Sequence, residues 1–332
     1  MSLHPKRPAE LVFAYLFSED GQGRLLDAEA AINWLKLQAH VDREYMWLHF
    51  DSPHDIEEQW LQYLELSITF KDTLHEERRS SRLTLRHHGL FAVMNDVNYY
   101  ANGGQPEIAT LWVSLRQHWL LSAWDKPLRS VGELVKLIDA RQAFPSPLSL
   151  VTQLLSEQAD ILFEILRDVA NVVNEVEIEL SQERLPSRSS LGHFRRDLVR
   201  MQRLLAPEPD SLFRLVNRPP KWARDVELDY LDFATENFSV AMRDLENLRE
   251  RIRLLEEDIA ARVSERTNHS LFILTSVTVI SLPMTVVGAL FGMNVGGLPL
   301  KGSDLGFWTL FLISLVMTLI AAWLIFRLLR KD

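Results

Sequence analysis

Lys221–Phe291 reads KWARDVELDY LDFATENFSV AMRDLENLRE RIRLLEEDIA ARVSERTNHS LFILTSVTVI SLPMTVVGALF, and it decides the fold. Pro219-Pro220 stops whatever precedes it, and no Gly or Pro follows until Pro283. Apolar residues fall at Leu231, Ala234, Phe238, Ala241, Leu245, Leu248, Ile252, Leu255 and Ile259. Their spacing alternates three and four, an a/d heptad seam. The pattern then runs through Arg262 and Arg266 into an apolar stretch with no breaker. Unbroken, the segment makes roughly 105 Å of helix at about 1.5 Å per residue. Such a helix reads as a stalk that packs on copies of itself; the same seam also suits packing on the chain's own helices.

Two apolar runs extend this reading. Leu271–Phe291 and Phe307–Phe326 carry no charge, and each is long enough to cross a bilayer core of about 30 Å. Arg262 and Arg266 precede the first run, and Arg327, Arg330 and Lys331 follow the second. The connecting segment 292–306 holds only Lys301 and Asp304. Basic residues at the outer ends of a hairpin place both termini in the cytoplasm. Trp308 and Trp323 suit interfacial anchors. The N-terminus has Lys6 and Arg7 but no apolar segment after them, so no secretory signal is expected. Two spans are too few to enclose a polar path, so conduction requires oligomerisation, whereas a plain anchor does not.

Working outward, 1–145 reads as a mixed α/β domain. Strands are expected at Glu10–Phe17, Glu44–Asp51, Arg82–His87, Gly89–Asp96, Ala109–Arg116 and His118–Trp124. Helices are expected at Asp27–Ala39, His54–Glu65 and Leu128–Gln142, with turns at Asn102-Gly103-Gly104 and Arg116-Gln117. Segment 146–220 reads as a helical hairpin, Leu148–Arg184 and Ser189–Val216, divided at Pro186-Ser187. The remaining divisions are a stalk helix at 221–270, a first span at 271–291, an outer loop at 292–306, a second span at 307–326 and a tail at 327–332. The fold class expected is therefore an α+β membrane protein.

The composition excludes several chemistries. The 332 residues hold 36 basic and 45 acidic side chains and no cysteine, so disulfides, thiolate metal sites and cysteine nucleophiles are out. An acidic chain without a basic patch excludes nucleic acid as a partner. Outside the hairpin and tail, 32 bases face 43 acids. That net of −11 per copy either concentrates cations at a cytoplasmic mouth or simply solubilises the domain. Gly297–Ser303 is not in the order of a phosphate-binding loop. His75-Glu76-Glu77-Arg78-Arg79 lacks the second histidine of a zinc-protease helix. His87-His88 would point to opposite faces of a strand. No catalytic constellation emerges and no cofactor is implied.

Within the first run Asn268, Thr275, Thr278, Leu282 and Thr285 step by seven, three, four and three, so they share one face. Hydroxyls on one stripe suit a wet path, and equally a helix–helix contact. Val277, Ile280, Val287 and Leu290 suit lipid or the second span. Gly292-Met293-Asn294 follows, where a carboxamide oxygen can face a symmetry axis and hold a hydrated divalent ion. His269, at the inner end, and the stalk acids Asp225, Glu227 and Asp232 are weaker metal candidates, with solvated charge as the alternative.

A long stalk, two C-terminal spans and Gly292-Met293-Asn294 closing the first resemble the CorA family of divalent-cation transporters. Thr275–Thr285 resembles that family's pore helix, with Asn268, Leu282 and Thr285 at pore-lining positions. The resemblance implies a funnel-shaped homopentamer in a bacterial inner membrane, with Asn294 at the outer entrance. Gly292–Gly297 followed by Pro299 is similar to the ZntB branch, which is associated with zinc. That likeness implies proton-coupled zinc uptake, with Cd2+, Ni2+ and Co2+ as related cargo. A magnesium or cobalt channel gated by intracellular divalent cations, zinc efflux, and a sensor domain on a membrane anchor are the alternatives.

Overall fold

The computed structural model describes residues 10–37, 44–53, 56, 60, 64, 81–86, 89–98, 107–182, 184, 189–293 and 305–329. Contacts divide the chain into two compact units, Met1–Leu255 and Glu256–Asp332.

The first unit is built on seven strands: β1 (Leu11–Phe17), β2 (Gly23–Leu26), β3 (Tyr45–Phe50), β4 (Arg82–Arg86), β5 (Gly89–Asn98), β6 (Glu107–Leu115) and β7 (Trp119–Trp124). They form one sheet in the order β2-β1-β3-β7-β6-β5-β4. The β3–β7 pair is parallel and the others are antiparallel. Strand side chains alternate between two cores, as a period of two requires. Tyr15, Phe17, Tyr45 and Trp47 enter one core. Ala14, Leu16, Met46, Leu48 and Phe50 enter the other. With both faces covered, β3 is buried at all six positions.

One face is covered by α1 (Ala28–Leu37), through Ala31 and Leu35, together with Ile56, Trp60 and Leu64. The opposite face carries α2 (Arg129–Asp139), α3 (Pro147–Ser181) and α5 (Pro207–Asn217), with Leu231 and Ala234 of α6 (Asp225–Gly292). The helix α4 (Ser189–Leu205) precedes α5. Ser146 caps α3 by a reciprocal capping box with Ser149, and Pro147 occupies the first turn, where its missing N–H costs nothing.

Two sequence expectations need correction. β2 is an unanticipated strand. Its signal was the turn Glu19-Asp20-Gly21, where Gly21 takes φ +77 and Asp20 accepts from Ser18 Oγ and Gln22 N. The helix expected over Ser189–Val216 is two helices. Pro207 opens α5 and has no N–H to continue the ladder of α4. Of the two covers open to the seam of α6, the chain's own helices supply one. Leu231, Ala234, Phe238, Ala241, Leu245, Leu248, Ile252 and Ile259 are already buried within the single chain, and only Leu255 is half-exposed. Arg251 donates to Glu177 and Asn174 of α3, and Arg249 to Gln202 of α4, so both helices flank the seam. Only Ile56, Trp60 and Leu64 of the helix expected at His54–Glu65 are among the described residues. Asn102–Gly104, His87-His88, His75–Arg79 and Pro186-Ser187 lie outside them.

Two buried ionisable groups sit in the sheet. His49 stacks on Phe13 at 4.8 Å and meets Trp124 edge-on at 4.3 Å. Trp47 Nε1 donates to Ser122 Oγ, which also shares a hydrogen bond of 2.7 Å with His49 Nδ1. Burial pushes the His49 imidazole down to about 3. Asp96 caps α2 from β5, because the N-cap position Leu128 has no side chain able to do so. Its carboxylate accepts from Val97 N and from Ser130 Oγ, while burial pushes it up to about 6.

These two shifts act on stability with opposite sign. Between pH 6.5 and 3 the unfolded chain protonates His49 and the folded chain does not, so stability present above 6.5 is lost as pH falls. The loss is about 1.4 kcal/mol per pH unit for one group. Between 6 and 3.8 the folded chain holds a proton on Asp96 that the unfolded chain releases, which offsets part of that loss. Urea unfolding followed by tryptophan fluorescence should therefore show a steeper acid loss for Asp96→Asn between pH 6 and 3.8. An equal or shallower slope contradicts the assignment.

Candidate ion path on the membrane helices

The second unit contains the C-terminal part of α6 and α7 (Gly306–Leu329). Both helices are long and apolar enough to cross a membrane. Their apolar side chains are largely uncovered, as with Leu274, Val277, Met284, Leu312 and Leu319. In water this surface would be prohibitive, and in lipid it is the required solvent-facing side. Pro283 lies inside α6 without ending it. At the end of α7, Arg327 sits over the Trp323 ring at 5.3 Å, a cation–π pair at the basic flank read from the sequence.

Exposure identifies which face of each span is covered. In α6 the half-buried positions are Ser276, Ile280, Pro283, Val287 and Phe291, one stripe at helical spacing. In α7 Gly306 and Ser314 are buried, and Leu310, Thr318, Ala321 and Ile325 are half-buried on the same face. Small residues on such a face let two helices approach closely. Ile280 and Val287 thus lie on the covered side, while Val277 and Leu290 are exposed.

The residues proposed to line a path are on the other side. Asn268, Thr275, Thr278, Leu282 and Thr285 are all exposed within the single chain. At about 100° per residue their mean direction lies roughly 145° from the covered stripe.

Four hydroxyls in this span are committed in one direction. Thr275 donates to Leu271 O, Thr278 to Leu274 O, Ser281 to Val277 O and Thr285 to Ser281 O, at 2.8 to 3.0 Å. Each hydroxyl has one proton, so each oxygen is left facing outward with lone pairs only. Acceptor oxygens suit the outward-pointing hydrogens of a hydrated cation. They offer nothing to an anion, which needs donors.

The outer end is partly described. Gly292 closes α6 and Met293 follows, exposed; Asn294 and the loop to 304 lie outside the described residues. A Cβ at Gly292 would meet nothing within 4 Å, and no left-handed φ requires glycine there. At the inner end His269 is exposed. Of the stalk acids, Asp225 and Asp232 are exposed as solvated charges would be, whereas Glu227 is buried. Among the described residues no group of three His, Cys, Asp or Glu is close enough to hold a metal ion.

Two apolar spans, one bearing threonine oxygens with free lone pairs on an exposed face, define an integral membrane protein suited to cations. Residues 42–331 match the family described as CorA-like Mg2+ transporter protein, and the chain belongs to that family. It is similar to the divalent cation transporter CmaX of Pseudomonas aeruginosa, with 28% identity over 96% of each chain. It is also similar to the zinc transport protein ZntB of Yersinia enterocolitica, with 22% identity over 90% of this chain and 92% of the relative. The structure of full-length CmaX superposes with TM-score 0.81 and 26% identity, covering 98% of this chain and 100% of that one. The CorA magnesium transporter of Methanocaldococcus jannaschii shares the fold, with TM-score 0.76 at 19% identity over 94% and 97%. The chain is a CorA-family divalent-cation transporter.

Because Gly292 has open space around it, Gly292→Ala leaves this chain's own packing intact. Vesicle flux measurements should show at least a tenfold loss of transport with unchanged circular dichroism and melting temperature. Full transport in the variant would mean that nothing outside the chain approaches this glycine.

Proposed function

We propose that the chain carries hydrated Zn2+ across a bacterial inner membrane through the central path of a homopentamer. The threonine oxygens on the exposed face of α6, their protons given to the helix backbone, carry this reading. Asn294 selects at the outer entrance by presenting its carboxamide oxygen, with Gly292 and Met293 setting its approach. Thr285, Leu282, Thr278, Thr275 and Asn268 then follow inward, and both termini lie in the cytoplasm.

Uptake is the favoured direction. Two charges moving down 100 mV gain about 4.6 kcal/mol, at roughly 2.3 per charge. Zinc rests on the ZntB relatives and on Gly292–Pro299, since the donor set itself is not zinc's preferred nitrogen and sulfur. Cd2+, Ni2+ and Co2+ pass the same oxygen ring as hydrated ions. Coupling to inward protons comes with the zinc reading, and His269 is the titratable side chain nearest the inner mouth. A magnesium or cobalt channel is the second reading, favoured by the broader description of the CmaX relative; zinc efflux is a third.

Proteoliposomes holding purified protein, with zinc and pH dyes inside, test this directly. Zinc entry that rises with an inward proton gradient and falls at least tenfold in Asn294→Ala is the expected result. Magnesium entry driven by voltage and indifferent to pH would replace the zinc reading with the channel. Zinc flux unchanged in Asn294→Ala would remove the entrance role.

A further inference from the structure

The first unit carries two exposed helix faces of opposite charge. Along α3 there are seven acids and one base, Arg167. Asp160, Glu164, Asp168, Asn171, Glu175 and Glu179 are all exposed. Their steps of four, four, three, four and four put them on one stripe along about 28 Å of helix. In α4 the balance reverses, with four arginines and one acid. Leu191, Leu198, Met201 and Leu205 are buried, and Arg195, Arg196, Val199, Arg200 and Arg203 are exposed on the face turned away from them.

Neither face is neutralised within its own chain. Arg129 bridges Glu164 at 2.8 Å, and Arg196 and Arg200 lie near Asp197, half-buried on the same helix. Among the described residues no ion pair or side-chain hydrogen bond reaches Asp168, Glu175, Glu179, Arg196, Arg200 or Arg203. Like charges one turn apart destabilise a helix, as with Glu175 and Glu179 on α3 and Arg196 and Arg200 on α4. Each helix therefore gains from an opposite face laid against it. Each face also leaves one large apolar side chain in the open, Ile178 on α3 and Val199 on α4.

A second copy of this chain fits both faces at once. A free anion or a lipid surface would meet the arginines and leave the acids, and a cation would do the reverse. Because the two faces are different patches of one chain, their contact is heterologous, and such a contact repeated by rotation closes into a ring. A ring is what a two-span chain needs to enclose a path.

We propose that the α4 arginine face of one copy docks on the α3 acidic stripe of the next. Arg196, Arg200 and Arg203 meet Asp168, Glu175 and Glu179, with Val199 and Ile178 inside the contact. The three arginines span about 10 Å of helix and the three acids about 16 Å, a difference that arginine's long side chain bridges. This inference rests on the homo-oligomeric reading above and is independent of the ion carried.

Charge reversal and its rescue test the contact on the full chain in detergent. One variant carries Arg196→Glu, Arg200→Glu and Arg203→Glu; a second carries Asp168→Lys, Glu175→Lys and Glu179→Lys; a third carries all six. Every position is exposed, so circular dichroism should match the wild type. Samples are heated to the temperature at which half the wild-type oligomer dissociates and then sized by mass photometry. Each three-residue variant should show at least a fivefold smaller assembled fraction, and the six-residue variant should return to within twofold of wild type. Co-expressing the two three-residue variants should also raise assembly at least threefold over either alone, since each offers the face the other lacks. Unchanged assembly in both three-residue variants overturns the proposal. So does failure of either rescue, because an effect confined to one chain does not respond to co-expression. An arginine variant weakened only in nanodiscs containing phosphatidylglycerol, with the acidic variant unaffected, would give the α4 face to the lipid surface instead. Wild-type protein that is monomeric before heating would remove the oligomeric reading itself, and this contact with it.

Discussion

The seam of α6 is the interaction on which the first unit depends. Seven of its eight apolar positions within that unit are buried by the chain itself. Each buried Leu, Ile or Phe contributes about 1.5–3 kcal/mol relative to exposure. The half-exposed Arg251–Glu177 pair contributes about 0–1 kcal/mol. Apolar burial therefore holds the helix in place. Arg251 fixes its register against α3, because a guanidinium fork meets a carboxylate in few geometries, and Arg249 adds a hydrogen bond to Gln202 of α4.

The same helix obeys two solvents. Through Ile259 its buried face follows a heptad, and beyond Leu271 the rule is inverted, with apolar side chains turned outward. Charge marks the change: Arg262 and Glu265-Arg266 are the last ionised residues on α6, and none appears through Gly292. In the membrane part of α6 polarity is confined to hydroxyls, and those of Thr275, Thr278, Ser281 and Thr285 give their protons to the helix backbone. An oxygen stripe of this kind costs far less in hydrocarbon than any ionised side chain.

Most of the architecture was legible because it rests on strong periodicities. The sheet strands alternate or run apolar, the seam is sustained, and two uncharged runs of about twenty residues admit few readings. What escaped was local. β2 is four residues long and owes its existence to the Gly21 turn and the edge of β1, which no hydrophobic pattern announces. The break at Pro207 was present in the letters but outweighed by the apolar spacing on either side. The partner of the seam was not legible at all, since a heptad is the same pattern whether its cover comes from the same chain or another. Of the candidate site, the shared face of Thr275, Thr278 and Thr285 followed from spacing. The direction of their hydroxyl protons did not, because that depends on rotamers. Glu227 looked like one more surface charge, and only its burial separates it from Asp225 and Asp232.

The proposed coupling requires a route for the proton, and the locked hydroxyls bear on it. A hydrogen-bonded wire relays charge only if every link can accept on one side and donate on the other. Thr275, Thr278, Ser281 and Thr285 accept but have already given their donor to the backbone, so each is a dead end in such a wire. In the proposed coupling, a proton passing this stripe would therefore move in the water column itself, as part of the ion's own hydration. Conduction of protons and of metal would then rise and fall together with the wetting of the path.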